Sequence, residues 1–597
     1  MKDFLKYTLA SMTGMILLGV IMGILGIISI VGMVASESAT APIEDNSVFV
    51  LSLKGMVEER SSGDINPLNY FSGNTEASVG LNDILHAIKV AKENDKIKGI
   101  YIESGIVAFD SYATARTLRN ALIDFKKSGK WVVAYADSYL QGAYYVSTAA
   151  DKVYMDNFGS IDLKGIGTKA EYYKGLYDKI GIRYDATRVG KYKSYVERNT
   201  RTSMSPEDRE QRMAYMQGLW NIITKDIAAS RHLTATVINK YANDSLMALA
   251  DQQSYIKMKL IDKVMYPDEV KSDIKKRLDL KEDDDIKQVS VSDLADVSTD
   301  EKDDGDEVAV YYATGEIVDQ SLTDFTGEQN IVGSKMSQDI MDLAKDDDVK
   351  AVVIRVNSPG GSATAAEQIW HAINVLKTKK PVVVSMGGVA ASGGYMISAP
   401  ANVIYAEPAT ITGSIGIFGM FPNFSGLLTD KLGITFDNVQ TNKYTNFMEN
   451  LTLNKDNSVE RGYLQNYINR GYDQFLTIVS EGRHMTKSTV NEIAQGRVWL
   501  ANDGVRVKLV DKIGTLDDAV KKAAQLAKLS DYHQQSYPEL KGWWESIMDQ
   551  ASGNKGNYLD SQLREILGDQ YEQYIFLRTI NKRAKLQARL PFSTRVK

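Results

Sequence analysis

The feature that most limits how this chain can fold is that it repeats itself. IKGIYIES (97–104) resembles VKAVVIRVNS (349–358) at an offset of 252, and WVVAYA (131–136) parallels PVVVSM (381–386). GAYYVSTAADKVY (142–154) parallels GGYMISAPANVIY (393–405) at an offset of 251. GSI recurs at 159–161 and 413–415, SRHLT (230–234) returns as GRHMT (482–486), and VLSLKGMV (50–57) corresponds loosely to VYYATGEIV (310–318). Ordered matches at nearly one spacing mark an internal duplication, so the chain holds one foldable unit twice.

Each unit alternates apolar, β-branched runs with helical patterns such as LNDILHAIKVAKEN (81–94) and AAEQIWHAINVLK (365–377). That alternation predicts βαβ units on a mostly parallel sheet, an α/β fold in tandem. The acidic, aromatic-free stretch 280–307 suits a solvated connector and puts the boundary near residue 300. The expected organisation is a membrane anchor over 1–40, repeats over 45–295 and 305–530, and a helical extension over 531–597.

The anchor is expected because Met12–Val34 is an uncharged stretch of 23 residues, where a bilayer core needs roughly 20. Lys2 and Lys6 precede it and an acidic segment (36–46) follows. The positive-inside rule then leaves the body outside the cytoplasm, on the periplasmic side of a bacterial inner membrane. A cleaved signal peptide would export the body just the same.

Chemistry is sought first in VAASGGYMIS (389–398), where Ser392 stands between a strand-like run and a helix start, among Ala and Gly. Small neighbours let a substrate backbone approach, and a helix start favours developing negative charge. Close packing of a helix on a sheet would use the same residues. No Asp–His pair lies nearby. The chain has no cysteine and five histidines, which removes disulfides, thiolate catalysis and cysteine zinc sites. A net charge of −6 argues against a nucleic-acid surface.

The duplication suggests where a base could be. At the 251 offset Ser392 falls on Gln141, so the first copy lacks the hydroxyl. Aligning Tyr192 (in VGKYKSYVE) with Tyr444 (in QTNKYTNFME) sets Lys193 on Thr445, so the second copy lacks the amine. A Ser–Lys pair assembled across the two halves follows, the neutral amine replacing histidine. The lysine pKa of about 10.4 must then fall by about three units, roughly 4 kcal/mol, which burial can supply. Lys191 is the rival, but it matches Lys443 in the second copy, which favours a structural or surface role. His371 sits on a helix with no partnering Asp in view, and His232 and His484 recur in both copies, which favours a cap or turn. In NSPGGS (357–362), Pro359 stiffens a turn, and Gly360 and Gly361 let backbone N–H groups face a site where an oxyanion forms. The first copy reads ESGIVAFD (103–110) there and has lost Pro-Gly-Gly.

NSPGGS, ASGGYM, TGSIG (412–416), GRVW (496–499) and the YKS stretch, in this order and duplicated, resemble the signal peptide peptidases of the protease IV type in their long form. The likeness runs from the anchor to QARLPF (587–592). It implies a fold related to the Clp protease and crotonase superfamily, with Ser392 as nucleophile, Lys193 as general base and Ser414 hydrogen-bonding the amine. It supports an oxyanion role for the Gly360–Gly361 loop, with Gly393 as a further donor. It also implies remnant signal peptides as substrates, a homotetramer and no cofactor. Two other classes stay open: a crotonase-like acyl-CoA enzyme and an inactive membrane-tethered scaffold.

Overall fold

The computed structural model describes residues 6–7, 13–14, 17–18, 42–60, 79–244, 247–295, 297, 305–320, 329–539 and 587–590. The expected anchor, Met12–Val34, lies almost wholly outside the described residues. Among the described residues no helix is long and apolar enough to cross a membrane.

The duplication appears as two mostly parallel sheets. In the first repeat, β1 (Ser47–Glu58) pairs in parallel with β2 (Ile97–Phe109), and the sheet continues through Trp131–Ala136, Lys152–Met155 and Lys263–Val264. Strand β3 (Arg183–Arg188) leaves this sheet for another. In the second repeat, β4 (Asp306–Thr314) and β5 (Val349–Ser358) repeat the β1–β2 pair. After Pro359 comes the short β6 (Gly360–Ser362), then β7 (Val382–Ala391) and β8 (Ile411–Gly413). The central strands are continuous apolar runs because helices cover both faces; every residue of β7 is buried.

A third, mixed sheet joins the halves. It runs Asn330–Val332, Glu316–Val318, β6, β10 (Gln587–Arg589), β9 (Phe418–Asn423) and β3. First-repeat β3 lies antiparallel to second-repeat β9 over six residue pairs, Arg188 facing Phe418. The described parts of the 531–597 extension are strands rather than helix. Tyr532–Tyr537 adds in parallel to the open edge of β4, and β10 fills a slot between β6 and β9. An unpaired sheet edge recruits such short segments by leaving its N–H and C=O groups without partners.

The core is shared across the boundary. Val389, Ala391, Ile411, Val498 and Leu500 of the second repeat belong to the apolar cluster built on Phe49, Ile102, Leu122 and Tyr144 of the first. A buried ion pair crosses the same seam: the Arg355 guanidinium donates to both carboxylate oxygens of Glu59, at 2.9 and 2.6 Å, and to Ser385 Oγ at 2.8 Å. Removing one partner would leave a buried charge uncompensated. Glu59→Ala is therefore expected to cost about 3–5 kcal/mol, and Glu59→Leu with Arg355→Met distinctly less. Thermal or urea unfolding of both variants checks this; equal losses would contradict it.

Candidate active site

Ser392 stands between the end of β7 and α1 (Gly393–Ser398), as the residue that caps the helix start. Its backbone is strained, at φ 58° and ψ −114°, and its N–H donates to Gly413 O at 2.8 Å. A non-glycine residue with positive φ is uncommon and persists only where its surroundings over-determine it. Here the β7–β8 ladder, with Ala391 opposite Gly413, does so. Ser414 repeats the device at φ 51°, its N–H donating to Arg497 O at 2.7 Å.

Lys193 follows β3, in the other repeat. Its Nζ lies 2.8 Å from Ser392 Oγ, 3.0 Å from Ser414 O and 3.1 Å from Ser414 Oγ. The side chain is fully buried, and desolvation alone holds its amine well below the usual lysine range. No carboxylate contributes to that shift, so the environment favours the neutral amine.

The lysine backbone is clamped from both repeats. Arg188 Nη1 donates to Lys193 O at 2.9 Å, Tyr192 N–H donates to Gln495 O at 2.9 Å, and Gln211 Nε2 donates to Tyr192 O at 2.9 Å. Gly496, at φ 76°, lies so close that a Cβ there would stand 2.6 Å from Lys193 N. This is why a glycine opens the GRVW stretch. Lys191 is exposed, its amine 5.1 Å from the Tyr192 ring centroid, and Lys443 sits 5.2 Å from Tyr444 in the same way. The matched lysines thus share one surface contact, and only Lys193 reaches the serine.

The glycine loop lies against the turn at Ser392. A Cβ on Gly393 would lie 3.2 Å from Gly360 Cα and 3.3 Å from Gly361 N, so the loop and the residue after the serine are in contact. Gly360 and Gly361 both take positive φ, 92° and 158°. The Gly360 N–H, however, is engaged at 3.2 Å by Ser358 Oγ. A polar side chain two residues away satisfies that donor.

In the first copy the equivalent turn is plugged. Gln141 Nε2 donates to Tyr112 OH at 2.6 Å, and Gln141 Oε1 accepts from Lys164 N and Gly165 N at 3.1 and 3.0 Å. His232 and His484 take matching left-handed conformations just past the two long helices, φ 54° and 53°, and act as turns. His371 is exposed.

One pair escaped the sequence reading. Asp110, ending the degenerate loop of the first copy, accepts from Asn357 Nδ2 at 2.7 Å, while Asn357 Oδ1 accepts from Val389 N at 3.1 Å. Asn357 opens NSPGGS and Val389 lies on the strand that leads to Ser392. Burial, with Glu59 nearby, pushes the Asp110 carboxyl up to about 7. The retained Asp at the end of ESGIVAFD and the Asn before Ser-Pro-Gly-Gly were the available signals.

Comparisons with known proteins agree with this layout. The family model "Peptidase family S49" matches residues 124–281 and 374–530, and the "Clp protease" model matches 318–408. "Protease 4" of Salmonella typhi is 36% identical, over 82% of this chain and 78% of that protein. "Protease 4" of Haemophilus influenzae is 33% identical, over 84% and 83%. "Putative signal peptide peptidase SppA" of Enterococcus faecium is 32% identical over 37% of this chain and 71% of its own length. With two family matches on a duplicated, Clp-like α/β frame, the chain belongs to peptidase family S49 and is a serine peptidase of the protease 4 type.

Proposed function

We propose that this chain is a membrane-anchored, homotetrameric serine endopeptidase that degrades cleaved signal peptides on the periplasmic side by a Ser392–Lys193 dyad. The observation that carries the reading is the 2.8 Å contact between a buried amine and the serine hydroxyl. In the first step Ser392 Oγ attacks the peptide carbonyl carbon as its proton passes to neutral Lys193 Nζ. The tetrahedral oxyanion is held by the backbone N–H groups of Gly393 and of Gly361 in the Gly360–Gly361 loop, the Gly360 N–H being engaged by Ser358 Oγ. The new ammonium then protonates the leaving amine as the C–N bond breaks, giving an acyl-serine. Water, deprotonated by the same amine, hydrolyses the ester. Ser414 orients Nζ throughout, through Oγ and its carbonyl. The exposed apolar residues Leu432, Ile434, Phe436 and Val439 supply a surface suited to contact between protomers. Similarity to the putative signal peptide peptidase of Enterococcus faecium supports the substrate class.

A fluorophosphonate probe is expected to label Ser392 and to fail on Ser392→Ala. Lys193→Ala should lower peptidase activity by about 10³-fold or more in a folded protein, whereas Lys191→Ala keeps most of it. Labelling that survives Ser392→Ala would exclude this nucleophile, and loss confined to Lys191→Ala would exclude the base.

The depressed lysine also sets a pH dependence. The neutral amine is the active form, so kcat/KM should fall as pH falls through the Lys193 pKa, with one proton taken up. Lys193→Arg should be inactive throughout, because a guanidinium stays protonated. An activity that rises on acidification, or survives in Lys193→Arg, would contradict the assignment.

A further inference from the structure

One buried side chain touches both halves of the frame around Lys193. Gln211 lies in the second turn of the helix Pro206–Arg231, in the first repeat, and is 1% exposed. Its Nε2 donates to Tyr192 O at 2.9 Å and to Ser194 Oγ at 3.2 Å, the residues on either side of the lysine. It also donates to Asp208 Oδ1 at 3.0 Å, so two N–H bonds serve three acceptors and one is shared. Its Oε1 accepts from Val498 N–H at 3.3 Å, in the second repeat. Val498 starts a strand, Val498–Leu500, that runs antiparallel to β8 with Val498 opposite Gly413. The carbonyl just before it, Arg497 O, accepts the Ser414 N–H, and Ser414 Oγ meets Lys193 Nζ. A single amide therefore joins the backbone that carries the amine to the backbone that carries its hydroxyl partner.

The amide is itself held in place. Asp208, also 1% exposed, accepts from Ser194 Oγ at 2.5 Å and from Arg212 Nε at 2.8 Å. Across the seam Arg497 stands 4.9 Å from the Tyr192 ring centroid and 4.6 Å from that of Trp499, and it donates to Tyr192 OH at 3.2 Å. The charged groups around the segment are paired among themselves: Asp208 with Arg212, Glu197 with Arg188 and Glu210 with Arg497. None of them supplies a counter-charge to the amine. The place between Tyr192 O and Val498 N–H calls for a donor and an acceptor on one uncharged group. An ionised carboxylate cannot donate there, and an aliphatic chain does neither.

We propose that Gln211 is a positioning residue for the general base: its amide fixes Lys193 and Ser414 relative to each other across the two repeats, which keeps Nζ on Ser392 Oγ. This rests on the Ser392–Lys193 reading above. Gln211 touches no reacting atom and acts through Tyr192, Ser194 and Val498. Without the amide the lysine segment and the Ser414 strand lose this tie, and Nζ spends less time on the line to Ser392 Oγ. Water entering in its place favours the ammonium.

The test compares Gln211→Met, which keeps the volume and removes both hydrogen-bonding groups, with Gln211→Asn, which keeps them one methylene short. Thr224→Val on the same helix is the control, since it loses a buried hydrogen bond to Trp220 O that takes no part in this frame. Initial rates on an unstructured peptide, from about pH 5 to 10, give kcat, KM and the acid limb of kcat/KM. Gln211→Met should lower kcat about tenfold or more at pH 7 with KM within about twofold, and move the acid limb up by about half a pH unit or more. Gln211→Asn should shift both the same way by less, with kcat down about threefold. Thr224→Val should unfold at lower urea and keep the native kcat, KM and acid limb. Native kcat and a native acid limb in the folded Gln211 variants would overturn the proposal, as would a loss confined to KM or an equal loss in Thr224→Val. Should Gln211→Met not fold, Gln211→Asn decides. Failure of a fluorophosphonate to label Ser392 in the native chain would instead strike the dyad, whereas native-rate labelling of Gln211→Met, with the native chain labelled, would strike Gln211 alone.

Discussion

Everything at the centre of this protein depends on one amine kept out of water. Lys193 has no carboxylate to balance a positive charge, and its hydrogen-bond partners are Ser392 Oγ, Ser414 Oγ and Ser414 O. Burial without a counter-charge penalises the ammonium form. A lysine can be held this way only if the wall around it is closed, and here the wall comes from both repeats. The shared apolar core, the β3–β9 ladder and the Glu59–Arg355 pair all close that seam. Loosening the seam would admit water and restore the ammonium, and in the proposed mechanism that alone would disable Lys193.

The two copies have diverged into complementary parts. The second keeps the strained turn at Ser392 and the glycine loop; the first keeps the lysine and fills its own turn with Gln141, hydrogen-bonded on both ends of its amide. Divergence did not erase the first copy's loop altogether. Its terminal Asp110 reaches across to Asn357, which in turn holds Val389 on the strand that leads to Ser392. The degenerate loop thus braces the intact one.

Much of this was legible in the sequence, because duplication gives each residue an internal comparison. Pairing Ser392 with Gln141 and Lys193 with Thr445 separated the two halves of the site, and pairing Lys191 with Lys443 set the rival aside; the two rival lysines make the same aromatic contact in space. Other features left no periodic trace. Glu59 and Arg355 are single charges in different repeats, and nothing local announces that they meet. Gly-Gly in NSPGGS signals a loop that can offer backbone N–H groups, but not which of them is free, and the Gly360 N–H is engaged by a serine two residues back. The C-terminal strand was the least legible of all. Three residues of QARL show no strand periodicity, and their conformation is imposed by the two edges that receive them.

The central claim is that Lys193 is neutral at neutral pH. The direct measurement is an NMR titration of the full chain carrying 13Cε-labelled lysine, with the Lys193 signal assigned by its loss in Lys193→Arg. The account predicts one lysine with the chemical shift of a free amine at pH 7, taking up its proton only on acidification. A Lys193 signal that remains that of an ammonium up to pH 9 would contradict it.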